Sequence, residues 1–198
     1  MLLKHQFFND YSETAHPACL QAVAHKSEQQ QIGYGLDEIS ARARDLIQAQ
    51  IHAPAAEIHF CSGGTQANLT VIGSMLRPHE AVIAVESGHI ATHETGAIEA
   101  TGHKIIHVPH ANGKLTPEAI ARALTTHPNE HSVKPRMLFI SQSTEFGTVY
   151  SKDELLALRA LCDAHNLYLY IDGARLGMAL ASDTSDVSLA DLAKIADV

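Results

Sequence analysis

The chain contains no apolar stretch near the roughly 20 residues that a bilayer-spanning helix needs, so no membrane partner is expected. It has no excess of positive charge. Lys and Arg number 14 against 22 Asp and Glu, a formal net charge of −8. That sign argues against nucleic acid or an anionic surface as the main partner. Cysteine is scarce. Cys19, Cys61 and Cys162 are odd in number and far apart, which suits neither a disulfide framework nor a metal site. The start, Met1-Leu2-Leu3-Lys4-His5-Gln6, lacks signal-peptide architecture. Reduced thiols in a cytoplasmic protein are the expectation. No P-loop, G-x-G-x-x-G fingerprint, internal repeat or low-complexity tract occurs.

What remains is a globular composition. The 198 residues are 45% hydrophobic and 18% charged, enough for one domain with a core. Pro17 to Lys26 is amphipathic, and Pro17 suits a first helical turn. Asp37 can cap a second helix running to about Ile51. From there short apolar runs alternate with helical patterns. Strands are predicted over 57–61, 81–85, 104–108, 137–141 and 167–171. Helices are predicted over 65–76, 93–100, 116–124 and 152–165. This order predicts an α/β fold with a mostly parallel sheet covered on both faces. An N-terminal arm with helices occupies 1–53, and an α/β domain occupies 54–198. Asp197-Val198 reads as the opening of a further strand, so the domain is expected to be incomplete.

Ligands in such folds bind at the carboxyl ends of the strands. Ser62-Gly63-Gly64-Thr65-Gln66 falls at one such end and opens a helix. Free amides and the helix dipole there suit an anion such as a phosphate. A Gly-rich turn capped by Thr65 is the plainer alternative. Asp172-Gly173-Ala174-Arg175 closes another apolar run. Asp172 could hold a protonated ring nitrogen of an aromatic cofactor, and Arg175 a carboxylate. A mutual ion pair is the alternative. Histidine is abundant, at 14 residues, and surface polarity accounts for most of them. His89, just past the strand over 81–85, could stack on a planar cofactor and move protons. A plain loop histidine is the alternative. His89 and His93 lie four apart, but Gly88 should break a helix there and no metal site is assigned.

These segments together resemble the pyridoxal-phosphate-dependent threonine aldolase and β-eliminating lyase family. Asn9-Asp10 with Ala15-His16-Pro17 is similar to its opening segment, and Tyr34-Gly35-Leu36-Asp37 to its Y-G-x-D. Gly64-Thr65-Gln66-Ala67-Asn68 is similar to its phosphate segment. Ser141 to Tyr150 and Asp172 to Arg175 resemble the low-specificity L-threonine aldolase branch. The resemblance covers essentially the whole chain. It implies part of a fold-type I large domain, a homodimer or homotetramer, and pyridoxal 5'-phosphate as cofactor. It implies Gly64, Thr65 and Gln66 at the phosphate, His89 stacked on the ring, Asp172 on the ring nitrogen and Arg175 on carboxylate. Asn9, Asp10 and Tyr34 would serve substrate or a subunit interface.

Three departures stand out. Asn9 replaces a serine of the family. Glu145 stands where many members have a histidine near the substrate hydroxyl, which makes Glu145 a catalytic candidate. The family's Schiff-base lysine should fall just past Val198, and none of the seven lysines matches its context. The implied activity is cleavage of a β-hydroxy-α-amino acid, L-threonine or L-allo-threonine, to glycine and acetaldehyde. The 198 residues alone are expected to be inactive. A non-catalytic remnant keeping assembly surfaces and weak cofactor binding is the alternative, and β-elimination is a third reading.

Overall fold

The structure is a computed structural model that describes residues 8–26 and 28–198. It divides into two compact units, Met1–Ala43 and Arg44–Val198.

In the first unit α1 spans Pro17–Lys26 and buries no residue. The His16 carbonyl accepts from the Cys19 and Leu20 amides, and His16 Nδ1 accepts from Ala18. Tyr34 and Gly35 turn the chain through left-handed φ values of 66° and 73°. Asp37 then caps α2, Glu38–Gln50, by accepting the Ser40 amide at 2.8 Å and the Ser40 hydroxyl at 2.7 Å. This is the cap the sequence predicts, and it holds the Asp37 carboxyl below its ordinary range.

In the second unit, the elements follow one another as α3 (Gly64–Met75), β1 (Glu80–Val85), α4 (His89–Thr92), α5 (Ala97–Ala100), β2 (Lys104–Val108), α6 (Pro117–Thr125), β3 (Lys134–Ser141), α7 (Lys152–His165), β4 (Tyr168–Asp172), α8 (Leu176–Leu180) and α9 (Leu189–Ile195). The strands form one parallel sheet in the order β2-β1-β3-β4. Because all four run the same way, Val85, Val108, Ser141 and Asp172 mark a common carboxyl edge.

Side chains alternate between the two faces of a strand, and the core divides accordingly. Ala81, Ile83, Val85, Leu138, Ile140 and Leu169 pack with Ile120 of α6, Leu155 and Leu158 of α7, and Leu192 of α9. Val82, Ala84, Met137, Phe139 and Tyr170 pack with Ile72 of α3, Ile90 and Ile98. Both faces are covered, as a parallel sheet requires.

Two expectations need correction. Residues 57–61 do not join the sheet and pair with no strand among the described residues. The apolar-polar alternation there is genuine, but a strand is completed only by a neighbour's ladder. Phe60 is left 53% exposed. Of the helix predicted over 93–100 only α5, Ala97–Ala100, is helical; α4 ends before it at Thr92, and Thr95 and Gly96 turn the chain between them through left-handed φ values of 55° and 75°. Val198 accepts the Ile171 amide at 2.9 Å and the Asp197 amide bonds to Leu169, the pattern of a parallel neighbour on the free edge of β4. Arg159 Nη1 holds the Asp197 carboxylate at 2.7 Å.

Cys162 sits in the core of α7 at 0% exposure, and burial pushes its thiol up to about 12. Cys19 and Cys61 are exposed. In a thiol-reagent titration of the native chain at neutral pH, two cysteines should react promptly and the third only on unfolding. Prompt reaction of all three would contradict this packing.

Candidate active site

Of the residues singled out by sequence, His89, Glu145, Asp172 and Arg175 stand at or just beyond the carboxyl ends of β1, β3 and β4, and α3 meets Asp172 through Asn68. Gly63 precedes α3, whose first intrahelical bond is Ala67 N–H to the Gly63 carbonyl. The earlier amides, of Gly64, Thr65 and Gln66, belong to the open first turn. Thr65 is not the cap that the plainer alternative made it: the cap position is Gly63, and no side-chain cap bond is formed among the described residues. A Cβ built on Gly63 or Gly64 meets nothing within 4 Å. Gln66 folds back, and its Oε1 accepts the Ser62 amide at 2.7 Å and the Ser62 hydroxyl at 2.9 Å. The segment is thereby braced by side chains, and its residues 62–66 are exposed.

Asp172 ends β4 and is half-buried. Its Oδ1 accepts the Ala174 amide at 2.9 Å. Among the described residues its Oδ2 has only a long contact, 3.4 Å, to the Asn68 side-chain nitrogen. Asp172 and Arg175 do not pair. Arg175 turns instead to the segment after β3. Its Nε and Nη2 donate to the Ser143 carbonyl at 3.3 and 3.1 Å, and Nη2 reaches Glu145 Oε1 at 3.0 Å. The Ser141 hydroxyl donates to the same Glu145 oxygen at 2.9 Å. Glu145 is therefore built first as a holder of Arg175. A cavity of about 420 Å³ opens beside this pair, lined in part by Ser143, Thr144, Arg175, Met178 and Ser182.

His89 begins α4 directly after Gly88. A side chain at position 88 would meet the Val85 carbonyl at 3.0 Å, so glycine lets the chain leave β1 at this angle. The His89 ring is 38% exposed and stacks on His93 at 5.6 Å. Its Nδ1 lies 2.8 Å from Glu94 Oε1.

Three residues to which sequence reasoning assigned no role of their own connect these parts, although Asn68 closes the segment compared with the phosphate motif. Asn68 of α3 is 2% exposed and donates from Nδ2 to Glu94 Oε1 at 2.6 Å. Tyr170 donates its hydroxyl to Asn68 Oδ1 at 2.6 Å. Glu94 is itself buried, and its Oε2 has no hydrogen-bond partner among the described residues. An unmet buried acceptor costs about 1–3 kcal/mol, so this one calls for a reason. Burial, with the Asp172 and Glu94 carboxylates nearby, pushes the Tyr170 phenol well above its ordinary range. A signal for one of the three was present: Tyr170 lies two residues before Asp172 and so shares its face of the strand.

The donor set suits a phosphorylated aromatic cofactor. The first turn of α3 is exposed and capped by no side chain among the described residues, Asp172 Oδ2 has accepting capacity to spare, and the His89 ring is part-exposed. Asn9, Asp10 and Tyr34 belong to the first unit. Asn9 Oδ1 accepts the Tyr11 amide and the Ser12 hydroxyl, and Tyr34 is fully exposed.

A parallel α/β sheet with an anion-ready helix start and an acid at its carboxyl edge is the arrangement of the fold-type I large domain, of which these residues form a part. Matching its family model over residues 11–198, the chain belongs to the β-eliminating lyase family. It is 35% identical over 178 residues to the low-specificity L-threonine aldolase of Pseudomonas aeruginosa, which covers 89% of this chain and 51% of that one. Its structure is similar to that of Leishmania major threonine aldolase, with a TM-score of 0.94 and 49% identity over 96% of this chain and 55% of the other. The pyridoxal-phosphate-bound C–S lyase of Staphylococcus hominis shares the fold at 12% identity, with a TM-score of 0.59 over 80% of this chain and 41% of that one. The chain spans about half the length of the threonine aldolases it matches.

Glu145→Ala should destabilise the chain by about 2 kcal/mol, because it strips the acceptor from a part-buried guanidinium, as measured by urea unfolding. Glu145→Gln, which keeps an acceptor, should cost less. Equal effects would mean that the charge and not the contact holds Arg175.

Proposed function

We propose that this chain belongs to an enzyme that cleaves a β-hydroxy-α-amino acid, L-threonine or L-allo-threonine, to glycine and acetaldehyde with pyridoxal 5'-phosphate. The observation that carries the reading is Asp172 Oδ2. It is held at the end of β4 with accepting capacity left, on the same sheet edge as the open turn of α3 and the His89 ring. The likeness to threonine aldolases supports the substrate class.

In this reading the amides of Gly64, Thr65 and Gln66, with the Thr65 hydroxyl, bind the phosphate. His89 lies against the ring face. Asp172 keeps the ring nitrogen protonated, since a carboxylate favours the charged form of a partner base. The bound cofactor supplies the electron sink for the pair released at Cα when the Cα–Cβ bond breaks. Arg175 is aimed by Ser143 and Glu145, and its Nη1 has no partner among the described residues, so it can meet the substrate carboxylate. The β-hydroxyl proton must leave as that bond breaks. His89 Nε2 and the Glu145 carboxylate are the two groups at this edge able to take it. The enzyme works in the cytoplasm as a homodimer or homotetramer. Asn9, Asp10 and the exposed Tyr34 turn serve substrate or the subunit interface.

A second reading concerns the 198 residues taken alone, a remnant with assembly surfaces and weak, non-covalent cofactor binding. The placement of six of the seven lysines supports it; Lys4 lies outside the described residues. Lys104 and Lys134 open their strands at the opposite edge of the sheet. Lys114 and Lys152 are engaged by Glu154 and Asp191. Lys26 belongs to the first unit and Lys194 to α9.

Three measurements test these readings. Pyridoxal phosphate should bind the chain measurably, and both Thr65→Val and Asp172→Asn should weaken it. Unchanged affinity in both variants would overturn the cofactor reading. In a form that turns over, Asp172→Asn should lower kcat on the order of 10²-fold, and threonine should yield glycine and acetaldehyde. Elimination from a β-substituted alanine with no threonine cleavage would point to a lyase of the other kind. Borohydride reduction of the 198-residue chain with cofactor, followed by peptide mapping, should give no stoichiometric pyridoxyl-lysine. A specific one, with threonine turnover, would overturn the second reading.

A further inference from the structure

Glu94 is the least expected residue of the site. Its side chain is wholly buried, in the link between α4 and α5 where the sequence predicts an unbroken helix. The left-handed turn at Thr95 and Gly96 interrupts that helix. Two nitrogens reach one oxygen, Asn68 Nδ2 at 2.6 Å and His89 Nδ1 at 2.8 Å.

The direction of these bonds is set from behind. Tyr170 donates to Asn68 Oδ1 at 2.6 Å, and the buried phenol keeps its proton. The Asn68 amide is therefore fixed with its carbonyl toward Tyr170 and its nitrogen toward the carboxylates of Glu94 and Asp172. A nitrogen that can only donate requires Glu94 Oε1 to accept. An ionised carboxylate has no proton to donate, so the hydrogen between the Glu94 carboxylate and His89 lies on the imidazole. The other ring nitrogen, Nε2, is left with its lone pair.

We propose that Glu94 is a positioning residue that holds His89 in the Nδ1–H tautomer, with its ring plane fixed and Nε2 free to accept a proton, and that Asn68 ties this pair to Asp172. The significance for catalysis rests on the pyridoxal-phosphate reading, since that is what the His89 ring would meet. The tautomer itself does not rest on it. The same logic orients histidines elsewhere: a carboxylate on one ring nitrogen decides what the other can do. It also accounts for the location of the unpartnered Oε2. Glu94 is retained for its directed contact to His89 although one of its oxygens has no partner.

The test reads the tautomer directly. The chain is labelled with 15N-histidine, and long-range proton–nitrogen spectra are recorded at a pH where its imidazoles are neutral. The His89 signals are assigned by their loss in His89→Gln. The unaltered chain should show His89 hydrogen on Nδ1. Glu94→Gln, which retains an acceptor oxygen, should keep most of that population. Glu94→Leu, which fills the space without an acceptor, should move most of it to Nε2–H and weaken pyridoxal phosphate several-fold. A purely space-filling role would alter stability in both variants and leave the tautomer alone. Hydrogen on Nε2 in the unaltered chain overturns the proposal, as does an unmoved tautomer in a folded Glu94→Leu chain. If Glu94→Leu does not fold, the spectrum of the unaltered chain decides alone. Failure of every form to bind pyridoxal phosphate, with the tautomer as expected, would count against the cofactor reading and leave this assignment standing.

Discussion

The side-chain amide of Asn68 lies between two carboxylates, and the order of the site depends on which way that amide faces. Tyr170 settles the direction by giving its proton to Oδ1. Glu94 and Asp172 are then both addressed by the nitrogen, at 2.6 and 3.4 Å. Four segments meet through this group: α3 through Asn68, β4 through Tyr170 and Asp172, α4 through His89, and the α4–α5 link through Glu94. Buried polar groups of this kind are costly when half satisfied and specific when their directions are all determined. Here the determination is nearly complete, and the one unpartnered oxygen belongs to the residue that orients His89.

The sheet makes the meeting possible. In a parallel sheet every strand delivers its last residue to the same edge, so residues separated by more than 80 positions arrive together. Ser141 and Asp172 are register partners in adjacent strands. The segment after β3 and the turn after β4 are therefore neighbours, and Arg175 can reach the Ser143 carbonyl and Glu145. The two faces of the sheet serve different ends. The face that packs on α6, α7 and α9 is apolar. The face toward α3 carries Phe139 and Tyr170 in edge contact at 5.2 Å, and its polar tip points to Asn68. Burial holds the body of Tyr170 while its hydroxyl does the orienting.

Arg175 illustrates how a charge is directed. Sequence spacing suggested Asp172 as its partner, three residues away. In the fold the Asp172 carboxylate takes the nearby Ala174 amide, and the guanidinium swings to a carbonyl and a carboxylate across the β3–β4 boundary. Separating the two leaves each with capacity on its open side, a carboxylate oxygen for a cation and a guanidinium nitrogen for an anion. A mutual pair would have neutralised both.

Much of this was legible in the sequence. Short apolar runs dictated four strands within a few residues, because burial on both faces demands them. The Asp37 cap and the glycine-led start of α3 follow from local hydrogen bonding. The residues at strand ends could be named because a parallel sheet sends them all to one edge. The remainder depended on partners distant in the chain. Residues 57–61 carry a strand's alternation yet lie outside the sheet, since pairing is a property of two segments. The break at Thr95 and Gly96, the burial of Glu94 and the choice of Arg175 for Glu145 arise from packing against α3 and the β3 exit. By itself the sequence determined which segments are strands and helices and which chemical groups stand at their ends, through local pattern and propensity. Only the tertiary structure decided which of those groups face one another and in what orientation, because a hydrogen bond's direction is set by both of its partners.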